Sequence, residues 1–162
     1  MYDHLLSEEY KKFKEEVRDF VKNQVPHSML KKMDKDEILS DPEWKAFYDE
    51  YKPDPALINQ IKSHIKEELK VEVYLALWCT DSKEYVPAFI KLIEMLALDL
   101  VIVDYYSVDR KPTPDTKYYV EDLGVERVAT FIFFQNGQEI GRIIEKPEKS
   151  LAEDFLNILL KE

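Results

Sequence analysis

Between Val71 and Tyr106 the hydrophobic period changes twice, and that change restricts the fold more than any other feature of the chain. Val71, Val73, Leu75 and Leu77 alternate with Glu72, Tyr74 and Ala76, the period of a β-strand. Tyr74 and Ala76 make the second face apolar too. The strand is therefore expected to be central, covered on both sides, and to reach Trp78. From about Ser82 to Leu96, Val86, Phe89, Ile90, Ile93 and Leu96 recur at helical spacing. Leu98 to Tyr106 reads as a second strand. Strand, helix and strand in succession imply two parallel strands with a right-handed crossover. Cys79, the single cysteine of the chain, stands where the first strand hands over to the helix.

Composition narrows the class. A length of 162 residues suits one domain, or one domain with an appendage, and 45% hydrophobic residues supply a core. The net charge of −10, with no offsetting Lys/Arg stripe, argues against a nucleic-acid surface and against anionic membranes. No apolar run approaches the ~20 residues that span a bilayer. The first residues, MYDHLLSEEYKK, are acidic and amphipathic and do not resemble a secretory signal. A cytoplasmic location is expected, although a removed export signal is compatible with the same sequence. One cysteine permits no internal disulfide, which fits a reducing compartment without requiring one.

The N-terminal third reads as helical. Leu6, Tyr10, Phe13, Val17 and Phe20 form one apolar stripe on a helix from about Ser7 to Asn23, which Pro26 ends. The stripe is expected to pack on the protein's own core. The alternative is dimerisation, or a partner helix, through the N-terminal helices. Residues 28–39 are expected to form a short helix. Asp41-Pro42 and Asp54-Pro55 each open a helix, with Asp as N-cap and Pro at the first helical position. Trp44, Phe47, Tyr48 and Tyr51 lie on one side of the first of these helices and are read as core rather than as a ligand box.

The C-terminal third is a hairpin and a helix. A polar loop, SVDRKPTPDT, is followed by a short helix near Asp115–Leu123 that Gly124 ends. Arg127 to Phe134 is a strand, Asn136-Gly137 a hairpin turn, and Gln138 to Glu145 the antiparallel return. Ser150 with Glu153 is a capping box opening the last helix. From residue 55 the order is αβαβαββα. Pro87 falls inside its helix, where a proline costs about 3 kcal/mol and kinks the axis.

This order, with Trp78-Cys79-Thr80-Asp81-Ser82 at the handover, resembles the thioredoxin fold over roughly Asp54 to Glu162. Trp78-Cys79 stands where thioredoxins carry WCxxC. Pro87, eight residues after Cys79, matches their helix-kinking proline. VATFIFFQNGQEIGR looks like their segment of cis-proline, strand, NG hairpin and strand. A closer similarity is to a group of bacterial thioredoxin-like proteins with WCxDS, then VP, a PTFIFxxxGxEIGR segment and a helical N-terminal extension. The resemblance implies an α/β fold, a central mixed β-sheet flanked by helices, with an added N-terminal helical segment. Residues 1–53 would be that extension and residues 54–162 the thioredoxin-like domain.

Three positions depart from working thioredoxins. Ser82 replaces the second cysteine, so Cys79 has no internal partner. Ala129 replaces the cis-proline, and a cis bond before alanine costs about 2.5–4 kcal/mol, so a trans Val128–Ala129 peptide is expected. Val73 replaces the usual buried acid. Cys79 is still expected to head a helix, where backbone amides favour a thiolate, with Ser82 adding a hydroxyl hydrogen bond and Asp81 opposing. Cys79 and Ser82 are thus the candidate reactive residues. Trp78, Thr80, Asp81, Pro87, Val128, Ala129 and Thr130 are expected to line the site, with Arg110 brought near by the loop after Tyr106.

His4, His27 and His64 have no metal-ligand spacing, there is no glycine-rich phosphate loop, and Cys79 has no evident histidine base. No metal or cofactor is expected. The resemblance implies thiol–disulfide exchange through intermolecular mixed disulfides, with glutathione or a thiol- or disulfide-bearing protein as partner. The alternative is a redox-inactive module that binds a peptide or protein in the groove between Trp78 and Ala129. A cluster-binding role like that of single-cysteine glutaredoxins fits less well, since the sequence departs from their pattern.

Overall fold

The computed structural model describes residues 11–15, 30–108 and 118–161. Five strands form one mixed sheet: β1 (Lys31–Met33), β2 (Leu69–Leu75), β3 (Val101–Ser107), β4 (Thr130–Gln135) and β5 (Gln138–Ile144). Their spatial order is β1-β3-β2-β4-β5. β2 and β3 are parallel, as the intervening helix requires, and β1–β3, β2–β4 and β4–β5 are antiparallel. The helices are α1 (Lys35–Leu39), α2 (Pro42–Glu50), α3 (Pro55–His64), α4 (Thr80–Leu96) and α5 (Leu151–Leu160).

β2 occupies the middle of the sheet. Val71, Val73 and Leu75 are fully buried on one face, Tyr74 and Ala76 on the other. On the first face Phe89 of α4 lies 4.9 Å, ring to ring, from Phe131 of β4, and Phe155 of α5 lies 4.9 Å from Phe133. On the second face Tyr74 stacks on Tyr106 at 5.4 Å, covered by Tyr119, Val120, Val125 and Val128. The strand stops at Leu75 rather than Trp78. The Leu75 carbonyl accepts from Val108 N, the Ala76 carbonyl accepts from Cys79 N at 3.1 Å, and Leu77 and Trp78 turn outward.

The Asp-Pro starts form as expected. Asp41 accepts from Glu43 N and Asp54 from Ala56 N, each at 2.9 Å, offsetting amides that a helix start leaves unpaired. Trp44 is buried in the core, while Phe47, Tyr48 and Tyr51 are only part-buried. The hairpin turns through Asn136 (φ 54°) and Gly137 (φ 76°), two left-handed residues that match the twist of the flanking strands. Ser150 accepts from Glu153 N at 3.1 Å and caps α5.

Two short elements differ from expectation. Within residues 28–39 the helix starts only at Lys35, where Asp34 and Glu37 form a reciprocal capping box. Lys31–Met33 instead pair with the free edge of β3. The expected helix near Asp115–Leu123 begins outside the described residues; from residue 118 on, a 3₁₀ turn at Glu121–Leu123 forms, closed by Gly124 at φ 65°. Val120 and Val125 bridge across it, which takes Tyr119 and Val120 out of helical geometry. Residues 11–15 are helical and Phe13 is exposed. Leu6, Tyr10, Val17 and Phe20, the other stripe members, lie outside the described residues.

Two predictions follow from the packing. A Cβ at Gly141 of β5 would sit 2.9 Å from Cγ1 and 3.0 Å from Cγ2 of Ile158, so strand and helix approach as closely as they do only because this residue has no side chain. Gly141→Ala is expected to destabilise by about 1–3 kcal/mol, the scale of overpacking, read from the denaturant midpoint. An unchanged midpoint would contradict the close approach. Burial also pushes the Tyr51 phenol up to about 12 and raises Tyr105 and Tyr74 as well. In the unfolded chain these groups ionise near about pH 10. The stability they carry is thus complete below that pH and falls as pH rises toward the folded values. The last part of the phenolate absorbance, from these buried tyrosines, should appear together with the loss of helical circular dichroism, because their ionisation needs unfolding. Full phenolate formation with the helices intact would overturn this.

Candidate active site

Cys79 is the N-cap of α4, with extended backbone (φ −91°, ψ 126°). Its carbonyl accepts the first intrahelical bond, from Lys83 N at 3.0 Å, and its side chain makes no cap. The residue thus heads a helix whose first-turn amides have no acceptor four residues back. It is half-buried, and the thiol donates to the Val128 carbonyl, with the sulfur 3.4 Å away. One bond thus ties the head of α4 to the chain entering β4.

That chain carries a correction. The Val128–Ala129 peptide is cis, not trans as expected. The cost of about 2.5–4 kcal/mol is that of an isolated peptide. Here the carbonyls on both sides are engaged, Val128 by Cys79 and Ala129 by Glu145 N at 2.6 Å. Ala129 is fully buried, and Thr130 donates its hydroxyl to the Arg127 carbonyl at 2.6 Å.

Ser82 also differs. It is fully buried, and its hydroxyl oxygen accepts from Ala76 N at 3.2 Å instead of serving the Cys79 sulfur. The bond staples the end of β2 to the first turn of α4 and fixes the turn that carries Leu77, Trp78 and Cys79. Pro87 is buried inside a helix that runs on to Leu96, about 12 Å along the axis from Cys79, and leaves the Lys83 carbonyl without its usual donor. Trp78 and Thr80 are exposed and Asp81 is part-buried. The structure therefore brings Cys79 and Val128 into contact, with Ala129 following and Thr130 opening β4. Arg110 lies outside the described residues, as do Asp109 and Lys111.

Two residues at or near this end escaped the sequence reading. Tyr119 is buried, and its phenol is raised first by burial and then by the charge of Cys79. The only signal for it was the Gly124 turn, which brings the chain before it back beside β4. Glu72 is the second. It is 1% exposed, accepts from the Tyr74 hydroxyl at 2.6 Å and pairs with Lys70 at 3.9 Å. An acid flanked by Lys70 and Tyr74 in an apolar strand was its signal. Among the described residues no three His, Cys, Asp or Glu side chains gather as metal ligands. His64 lies in the last turn of α3, its Nδ1 2.8 Å from the Gln60 carbonyl.

A mixed sheet flanked by helices, with a cysteine heading the helix after the central strand and a cis peptide opposite, defines an α/β fold of thioredoxin type. A family model described as thioredoxin matches residues 27–154, and the chain belongs to the thioredoxin family. It is 31% identical over 71 residues to a thioredoxin of Malassezia sympodialis, a match covering 44% of this chain and 63% of that protein. The chain thus spans less than two thirds of that relative. Among solved structures, a Pseudomonas aeruginosa protein of unknown function superposes with a TM-score of 0.61 at 13% identity, over 79% of this chain and 92% of that one, a likeness of fold alone. The reduced thioredoxin pre-protein of Schistosoma mansoni is 26% identical over 66% of this chain and 92% of its own, with a TM-score of 0.40.

The Ser82 bond makes a prediction. Ser82→Ala strands the buried Ala76 amide and should cost about 1–3 kcal/mol of stability by chemical denaturation. The rate at which iodoacetamide alkylates Cys79 should stay as in the parent. A slower alkylation at unchanged stability would return the hydroxyl to the sulfur.

Proposed function

We propose that the protein takes part in thiol–disulfide exchange through Cys79 alone, by way of intermolecular mixed disulfides. The observation that carries this reading is the placement of a half-buried sulfur at the amide end of α4, with no second cysteine in the chain. The thiolate is the attacking species. The thiolate of Cys79, having lost its proton to solvent, attacks one sulfur of a disulfide. The old S–S bond breaks, a new one joins Cys79 to that sulfur, and the departing thiolate takes up a proton. Ser82 offers no sulfur, so an outside thiol must attack the mixed disulfide to release Cys79. Glutathione or a protein thiol would serve, and a reducing compartment such as the cytoplasm would supply either.

A second reading, a redox-silent module that holds a peptide or protein, is favoured by Leu77 and Trp78, which are 57% and 45% exposed beside the thiol. Trapping separates the two. The protein is incubated with glutathione disulfide and with a peptide disulfide, and intact mass is followed, with Cys79→Ser as control. Exchange predicts one adduct per chain, formed faster than on a free cysteine and removed by added thiol. Formation no faster than on a free cysteine would favour the binding module.

A further inference from the structure

β1 covers only part of the outer edge of β3. Lys31–Met33 pair with Ser107 back to Tyr105, and among the described residues nothing pairs with Val101–Asp104 on that side. The parallel register with β2 shows which backbone groups this leaves. Leu69 N donates to the Leu100 carbonyl at 2.9 Å, so Leu100, Ile102 and Asp104 turn their backbone groups toward β2. By the alternation of a strand, Val103 turns its N–H and carbonyl outward, as Tyr105 does toward Met33. Val101 turns its carbonyl outward, its N–H being taken by the Leu98 carbonyl at 3.1 Å. Beside these groups lies a cavity of about 390 Å³, between the edge and α4. Ile90, Ile93, Val101, Val103 and Met33 form its apolar lining. Val101, Val103 and Ile93 are only part-buried, and Leu100 and Ile102 are exposed.

We propose that this open edge docks an extended peptide of another protein, added as a strand in line with β1, with apolar side chains entering the cavity and basic residues flanking them. Unpaired strand groups are a template for a further strand. Main-chain bonds then hold the peptide, and a pocket beside the edge selects alternate side chains. β1 shows what this edge accepts. It runs antiparallel to β3, buries Met33 opposite Tyr105, and extends Lys32 to Asp104 at 3.4 Å on the other face. In a strand continuing that line, residues opposite Val103 and Val101 project to the side of Met33, into the cavity. The chain's charge of −10, with exposed Asp99 just before the edge, attracts a partner carrying Lys or Arg and disfavours pairing with a second copy. The surface stands apart from the thiol, since Val103 pairs with Val71, four residues before β2 ends at Leu75.

The test follows amide hydrogen exchange of the full chain by NMR. In the free protein the Val103 amide should exchange about tenfold faster than those of Ile102 and Asp104, which face β2. Protection of Val103 at every concentration would mean that the chain covers its own edge. Protection that grows with concentration would mean that a second copy does. Either result overturns the proposal. The probe is an acetylated, amidated peptide, lysine-valine-threonine-valine-lysine, added by titration. It should protect the Val103 amide and shift the resonances of Val101, Val103 and Ile93. The same peptide N-methylated at both valines loses its edge-facing N–H groups and should bind about tenfold more weakly, the scale of one or two backbone hydrogen bonds. Val103→Pro removes the outward amide, at a position where strand edges tolerate proline, and should weaken the parent peptide similarly. Cys79→Ser should bind the peptide as the wild type does, so the exchange reading can fail without this one. A peptide that leaves Val103 unprotected, or an N-methylated peptide that binds equally well, would overturn the docking site.

Discussion

The burial of β2 on both faces holds this site in place. Val71, Val73 and Leu75 are fully buried against the α4 and α5 layer, and Tyr74 and Ala76 against the segment from Tyr119 to Val128. Val71, Val73 and Leu75 each contribute about 1.5–3 kcal/mol on burial. β3 and β4 occupy both edges of β2, so the strand has little freedom to slide. A slip of one residue would exchange its faces and put Glu72 among the phenylalanines of α4 and α5. The position of Cys79 follows. The strand end is fixed by the Leu75 carbonyl to Val108, the Ala76 amide is fixed by Ser82, and four residues of turn deliver the sulfur to the head of α4.

The parts legible in the sequence were those with a period or a local chemical signature. β2, α4 and β3 announced themselves by alternation and then helical spacing, and the Asp-Pro caps and the Asn136-Gly137 turn by residue type. β1 was not legible, because three residues carry no period and their pairing is set by the open edge of β3. The end of β2 was misplaced for a similar reason. Leu77 continues the alternation of Val71, Val73 and Leu75, yet the Cys79 N to Ala76 bond turns the chain before it. At the site, the position of Cys79 was readable, but the partners of its neighbours were not. Ser82 had two polar groups in reach, and only the folded turn shows which one takes the hydroxyl. The cis peptide before Ala129 had no proline to signal it, and Tyr119 is placed by a loop whose closure depends on Gly124.

Glu72 bears on where the thiol proton goes. The resemblance to thioredoxins puts a buried acid at the position of Val73. Here the acid is one residue earlier, and in a strand one residue means the opposite face. Glu72 shares its face with Tyr74, whose hydroxyl it accepts, and Lys70 pairs both with it and with Asp104 across the parallel pair. A buried carboxylate with such partners is held in place by them and is costly to disturb. It also lies three residues, about 10 Å, before the strand ends, so it cannot exchange a proton directly with Cys79. The group in contact with the sulfur is local: the Val128 carbonyl accepts from the Cys79 thiol, a bond that exists only while the sulfur holds its proton.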